Sequence, residues 1–360
     1  MAELINNVKK ILKKNRLVRR FYKTFKDKAQ QKIELKDYIK SHQIKNKNGI
    51  VAVCHPEYRG IKSATYKMFD NIYEISEFHS LSVAKCVAKE ILETSPKLVV
   101  LNGYPFGYDL LAREINKLDP KVKIYTYCHG PFIWFDFYPD ENVVLNNYLK
   151  LNKEGIVKKM AFCKKDLVEY FGSLGYNTTY VMNRFELSAT NIHKRNESII
   201  KIGVFGSGLW HRNILNQVVG ALMVPNAEVH VNELKEIPFI DNSRVVRHGI
   251  LQQEEYLKLF SQMDIALYVS FTDAFPMTLI ESMSMGVPAI ASDTSDVYSF
   301  DQELKNMLVL SAIDSPVAIR DKVLSVLSNY EEVQTKLIKY APILKVEVEK
   351  SIENFLNIND

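Results

Sequence analysis

The sequence predicts an α/β protein of two doubly wound, Rossmann-like domains, and three observations predict it. Short apolar runs alternate with helix-like segments from residue 50 onward, and the alternation restarts after a polar stretch at 183–198. The 360 residues suffice for two domains of ordinary size. Strands alternating with helices imply a parallel sheet covered on both faces.

In the first half, Ile50 to Cys54 reads as a buried strand, followed by the loop HPEYRGIKSAT and a helix-like segment. Asn71 to Ile75, Leu98 to Leu101 and Val122 to Tyr127 read as further strands, with helices near 80–93 and 108–117. The stretch NRFELSATNIHKRNES is polar and without a period, as a linker is. In the second half, Ile199 to Phe205, Glu228 to Val231, Val245 to His248, Ile265 to Val269 and Val287 to Ala291 read as strands. Helices fit Ile214 to Leu222, residues 252–262, Pro276 to Met285 and most of 316–356. The expected domains are 48–185 and 198–335, facing a cleft, with a helix at 336–360. Ligands of such sheets collect at the carboxyl ends of the strands.

Residues 1–47 stand apart. They hold 15 Lys or Arg and 4 Asp or Glu, a net of +11, which leaves 32 basic and 38 acidic residues, a net of −6, for the rest. Leu4, Ile5, Val8, Ile11, Leu12, Val18, Phe21, Tyr22, Phe25 and Ala29 recur at helical spacing over residues 3–40. A basic amphipathic helix of this kind suits the anionic inner face of a membrane, and its alternative is a helix packed on the domain with its charges solvated. Nucleic acid is not expected, because nothing after residue 47 is basic enough. The start offers no continuous apolar stretch for a secretory signal, and no run approaches bilayer length. The four cysteines, Cys54, Cys86, Cys128 and Cys163, have neither zinc-ligand nor disulfide-framework spacing, so a cytoplasmic protein with reduced thiols is expected.

The sharpest local signal is Asp273 to Gly286, DAFPMTLIESMSMG, running into VPAIASD. Phe275-Pro276 would open a helix at its first turn, where proline's missing N–H costs nothing. The amides of Met277 and Thr278 would then be free donors at a positive helix end, a natural seat for phosphate or a sugar hydroxyl. Glu281, a turn and a half further in, can accept two hydrogen bonds from a ribose diol. A second block, Gly206-Ser207-Gly208-Leu209-Trp210-His211-Arg212-Asn213, follows the strand KIGVF. Its glycines allow close backbone approach to phosphate, and Arg212 offers a bidentate, charge-assisted contact. His129-Gly130-Pro131 ends a first-domain strand, and Arg59-Gly60 lies in the loop after the first strand. Each of these residues has a plain alternative: a loop histidine bonded to backbone, an exposed arginine. Trp134 and Tyr138 suit stacking on a sugar or ordinary packing.

The spacing Asp273, seven residues, Glu281, then Gly-Val-Pro resembles the E-x7-E motif of retaining GT-B glycosyltransferases, most closely the family-4 group that includes many bacterial polysaccharide and lipopolysaccharide enzymes. The resemblance implies that Asp273 contacts the donor sugar and Glu281 the ribose. It implies that Arg212, standing where the family has Lys, offsets the diphosphate charge, and that His129 faces the donor sugar. Asp273 replaces the family's Glu, and Ser207 replaces its Arg; Arg59 is a candidate replacement cation. Gly206, Ser207, Gly208, Asn213, Phe275, Pro276, Met277 and Thr278 complete the expected donor site, with Arg59 and Gly60 toward acceptor or diphosphate.

The implied activity is transfer of a hexose-type sugar from a nucleotide diphosphate-sugar, UDP-sugar first, to a glycan or lipid-linked saccharide, with retention. No cofactor or metal is expected, since Asp-x-Asp, H-E-x-x-H and G-x-S-x-G are absent. The basic segment points to contact with an inner-membrane surface. Two rivals stay open: an inverting transferase or epimerase of the same fold, and a non-catalytic donor-binding or scaffolding subunit, for which Ser207 and Asp273 speak.

Overall fold

A computed structural model of the chain describes residues 37–46, 49–186, 195, 198–206, 208–232 and 234–358. The chain divides into two compact units. The first runs to Tyr127 and includes Tyr138–Met160; the second holds Cys128–Phe137 and everything from Ala161 onward.

The first sheet contains β1 (Ile39–Gln43), β2 (Ile50–Cys54), β3 (Asn71–Ile75), β4 (Leu98–Asn102), β5 (Lys123–Cys128), β6 (Val157–Phe162) and β7 (Thr178–Tyr180), in the order β1-β3-β2-β4-β5-β6-β7. The helices between are α1 (Arg59–Met68), α2 (Leu81–Leu92), α3 (Tyr108–Leu118), α4 (Ile133–Phe137), α5 (Pro139–Lys153) and α6 (Lys165–Ser173). Strand β2 pairs in parallel with both β3 and β4, so the order reverses beside it. IVAVC and LVVLN are almost wholly buried, as expected of strands covered on both faces. Gly107 opens α3 at φ 93°; a Cβ there would lie 2.4 Å from the carbonyl oxygen of Phe78, so only glycine fits.

The second sheet contains β8 (Ile200–Val204), β9 (Ala227–Val231), β10 (Val245–Arg247), β11 (Ile265–Tyr268), β12 (Ala289–Ser292) and β13 (Val309–Leu310), in the order β10-β9-β8-β11-β12-β13. Its helices are α7 (Ile214–Leu222), α8 (Gln253–Phe260), α9 (Met277–Ser284), α10 (Gln302–Leu308), α11 (Pro316–Ser328) and α12 (Tyr330–Leu356). All strand pairs are parallel, and the order is that of a doubly wound sheet whose switch point lies between β8 and β11.

Several expectations need correction. Residues 1–36 of the expected basic helix lie outside the described residues, but Ile39 and Lys40 open the antiparallel edge strand β1 rather than ending a helix. Alternate residues of β3 turn their backbone N–H and C=O groups to that edge, and the half-exposed β1 pairs with them. Strands β6 and β7 were not expected; the lysines of VKKMAF hide β6, although Lys159 is buried with its ammonium 5.2 Å from the ring centroid of Tyr125. Most of the expected linker lies outside the described residues. The C-terminal helix begins at Tyr330, not at 336, and passes through Pro342.

Candidate active site

The chemistry of the second unit gathers where β8 and β11 end. These strands are parallel neighbours, with Ala266 opposite Gly203 and Leu267 opposite Val204, so the loops that follow them emerge side by side at the switch point.

From β8 the chain passes Gly206 and Gly208 into a 3-10 turn, Trp210–Arg212. A Cβ on Gly206 would lie 3.3 Å from Cδ1 of Ile214, whereas one on Gly208 would meet nothing within 4 Å. A side chain at Gly206 would press on Ile214, whereas Gly208 leaves open space. Ser207 lies outside the described residues. Asn213 stops the turn in the left-handed region, at φ 56° and ψ 31°, and α7 begins. Asparagine tolerates that conformation better than most residues. Its Nδ2 donates to the carbonyls of Val269 (2.9 Å) and Ile313 (2.6 Å), and its Oδ1 accepts from Asn216. Gln217, one turn on, donates to the carbonyls of Arg212 and Asn213 and accepts from the amide of Val269 at 2.8 Å. The two amide side chains thus bolt the end of β11 to the turn that carries Arg212. Asn213, expected among the donor contacts, has its side chain committed to this scaffold.

Arg212 donates through Nη1 to the hydroxyl of Tyr268 and to Oδ2 of Asp273, and Tyr268 donates to the same carboxylate oxygen. The other oxygen, Oδ1, accepts from the amide of Ala274 at 2.8 Å. Burial works against the guanidinium's charge, but the carboxylate and the tyrosine oxygen more than restore it, and its pKa stands above the usual value. Burial and then Asp273 push the Tyr268 phenol far upward, so it remains a donor. Nε and Nη2 of Arg212 stay outside these bonds. His211, buried beside it, is pushed downward by burial and by Arg212, and is neutral near pH 7. Its carbonyl accepts from the amide of Phe271 at 2.8 Å, a second tie between the loops.

Helix α9 follows Asp273. Phe275 is buried, and Pro276 is the N-cap in extended geometry rather than a first-turn residue, so the helix begins at Met277. The amides of Met277 and Thr278 are its first two, which have no intrahelical acceptor. Glu281 accepts from Nε2 of Gln253 at 3.0 Å, and the half-buried Tyr256 lies beside Glu281 and Thr278, with burial and then the Glu281 charge pushing its phenol far upward. The Tyr256 ring packs edge-on against Phe205 at the end of β8, 5.5 Å between centroids. Glu281 is thereby fixed from α8 as well as from its own helix.

His129 follows β5 and belongs by its contacts to the second unit, not to the first domain as expected. Its Nδ1 lies 3.8 Å from Sγ of Cys163, and its ring hydrogen-bonds Asn183. Burial lowers its pKa to about 3, so the imidazole is neutral. Arg59 and Gly60 open α1 in the first unit, both exposed. Trp134 packs against Gly130, where an added Cβ would lie 2.6 Å from its ring.

The sequence reading missed Tyr268, His211, Gln217, Gln253 and Tyr256. Tyr268 had one signal, a hydroxyl ending an otherwise aliphatic strand five residues before Asp273. Among the described residues no group of His, Cys, Asp and Glu is arranged to hold a metal ion, and no helix is long and apolar enough to cross a membrane.

Residues 213–329 match the family model described as glycosyl transferases group 1. No curated protein sequence matches the chain. Solved structures are similar along most of it. One is sucrose-phosphate synthase from Thermosynechococcus elongatus, with a TM-score of 0.61 and 10% identity over 86% of this chain and 97% of that one. Another is described as trehalose-6-phosphate from E. coli bound with UDP-2-fluoro glucose, with a TM-score of 0.61 and 10% identity over 86% and 99%. A third comes from a study of glycosyltransfer with retention using bisubstrate glycomimetics of trehalose-6-phosphate synthase, with a TM-score of 0.57 and 11% identity over 85% and 98%. Two Rossmann-like parallel sheets and these likenesses give the chain the GT-B fold, with the group 1 glycosyl transferase match confined to the unit that carries Arg212, Asp273 and Glu281.

Proposed function

We propose that the protein is a glycosyltransferase that takes a hexose-type sugar from a nucleotide diphosphate-sugar and passes it, with retention, to a hydroxyl of a glycan or lipid-linked saccharide. One observation carries the reading. A largely buried guanidinium, an aspartate and the open end of a helix meet at the switch point of a doubly wound sheet, where such sheets bind phosphates.

In this reading the diphosphate lies against Gly206, Gly208 and the amides of Met277 and Thr278, with Arg212 supplying the positive charge. Glu281 accepts from the ribose hydroxyls, and Asp273 and His129 position the sugar. The bond from the anomeric carbon to the diphosphate oxygen breaks while the acceptor hydroxyl adds from the same face, and its proton leaves with the diphosphate. Arg212 and the helix end stabilise the charge that grows on the leaving group; fixed donors that need no reorganisation act most strongly on such charge. A neutral His129 fits a role in hydrogen bonding rather than in charge neutralisation. The likeness to a structure bound with UDP-2-fluoro glucose favours uridine, and the likeness to a transferase studied for retention favours that stereochemistry. A place in surface polysaccharide synthesis, with residues 1–40 on an inner-membrane surface, remains the sequence-based part of the proposal. Arg59 and Gly60 belong on the acceptor side of it.

The test is a panel of UDP-, GDP- and ADP-sugars incubated with the protein and pooled saccharide acceptors, followed by NMR of the product. The expected result is release of one nucleoside diphosphate and a product with the anomeric configuration of the donor. An inverted product overturns retention. Tight binding of a nucleotide sugar with neither transfer nor hydrolysis overturns catalysis and leaves a donor-binding subunit.

A further inference from the structure

Three aromatic rings stand in a row beside the Arg212–Asp273 pair, and two are held in solvent. Trp210 is 56% exposed and Phe137 46% exposed, and their ring centroids lie 5.9 Å apart. Trp210 is also 5.9 Å from Phe271, at an interplanar angle of 34°. Large exposed aromatic rings in contact with one another are the informative exception on a protein surface.

The rings do not owe their positions to burial. The amide of Asn213 donates to the carbonyl of Trp210 at 3.0 Å, and that of Phe271 to His211 at 2.8 Å. Trp210 and Phe271 are therefore fixed by the same backbone ties that set Arg212 and Asp273, each only two residues from one of these rings, and Phe137 packs on Trp210. A ligand resting on Trp210 and Phe271 lies next to the proposed sugar-transfer centre.

We infer that this platform binds the apolar face of a pyranose ring of the acceptor saccharide, so that the second unit recognises acceptor as well as donor. The inference rests on the transferase reading above. A sugar presents axial C–H bonds with slight positive charge to the negative face of an aromatic ring, while its hydroxyls point outward to water and polar groups. The size of the patch argues against a protein partner. Two half-exposed rings offer on the order of 200 Å², well below the roughly 800 Å² per side of a stable protein interface.

The experiment uses the full chain and two probes, maltotriose and cellotriose, with binding read by saturation-transfer NMR. A separate arm follows UDP binding by thermal shift. The variants are Trp210→Ala, Trp210→Tyr and Phe137→Ala. At least one trisaccharide is expected to bind the wild type, to weaken roughly tenfold or more in Trp210→Ala and Phe137→Ala, and to recover largely in Trp210→Tyr. UDP stabilisation is expected to persist in all three, which also shows that they fold. Failure of both trisaccharides to bind the wild type, or undiminished binding by Trp210→Ala, overturns the platform while leaving the donor site to its own test. Absence of UDP binding in the wild type strikes the donor reading and leaves the platform to be judged on the saccharide arm. Sedimentation of the same variants covers the remaining occupant: a wild-type dimer that Trp210→Ala makes monomeric overturns the saccharide assignment in favour of a second copy.

Discussion

Arg212 and Asp273, which are 61 residues apart in sequence, form an ion pair across two neighbouring loops of the second sheet, and their side chains are only 19% and 11% exposed. Removing one charge of such a pair strands the other in a poorly solvated place. In the proposed transferase this pair sets a cation in advance, with Nε and Nη2 of Arg212 outside it. Asp273→Asn is accordingly expected to lower transfer by about two orders of magnitude, in the range seen when a fixed electrostatic group is lost. UDP binding, which the proposed function assigns to Arg212 and the end of α9, is expected to persist. Steady-state kinetics beside calorimetry with UDP checks this; loss of UDP binding in step with activity contradicts it.

Tyr268 reaches the same carboxylate oxygen as Arg212. Tyr268→Phe deletes one hydroxyl and leaves the ring, so the Asp273 carboxylate keeps Arg212 and the amide of Ala274 but loses orientation. The expected result is a fall in kcat of roughly tenfold with KM for the donor nearly unchanged, and a stability loss of about 1 kcal/mol. Urea unfolding and initial rates separate the two effects.

The scaffold of the site has a weak point at Gln217. Its carbonyl oxygen is the acceptor for the buried amide of Val269, and its amide caps the turn behind Arg212. Gln217→Leu keeps the volume and strands that amide. The expected cost is about 1–3 kcal/mol in urea unfolding, with a loss of activity that Gln217→Glu restores only in part. An unchanged unfolding midpoint contradicts the clamp.

His129 gives a dependence on pH. Burial holds its folded pKa at about 3, below the value of about 6.5 in an unfolded chain. Between these values the unfolded chain binds the extra proton. The stability contributed by the neutral ring is therefore complete above about pH 6.5 and is lost as pH falls toward 3, by up to about 1.4 kcal/mol per pH unit. Against His129→Gln, the wild type is expected to lose its advantage with that slope between pH 6 and pH 4. Parallel stability curves for the two proteins contradict it.

Strands β8, β11 and β12 were legible because a sheet covered on both faces needs aliphatic runs such as IALY and AIAS, and those runs have no other use. The antiparallel β1 was not, because an edge strand of sequence IKSHQ is satisfied with two half-buried residues. At the site, Asp273, Glu281 and Arg212 announced themselves by residue type and spacing in one stretch of chain each. Tyr268, Gln217 and Tyr256 did not, since their roles consist of bonds to partners that only the parallel pairing of β8 and β11 and the packing of α8 bring near. Asn213 shows the converse: a polar residue in a glycine-rich loop looks like a side-chain ligand contact, and the structure bonds that side chain to two carbonyls.

The central claim is that a nucleoside diphosphate binds where Arg212 meets the amino end of α9. The most direct measurement is calorimetric titration of UDP into the wild type and into Arg212→Ala. One UDP per chain is expected to bind the wild type, and the variant is expected to bind it more weakly by at least about 1.5 kcal/mol, the value of a lost charge-assisted hydrogen bond. Equal UDP affinity in the two proteins, or no UDP binding by the wild type, would contradict it.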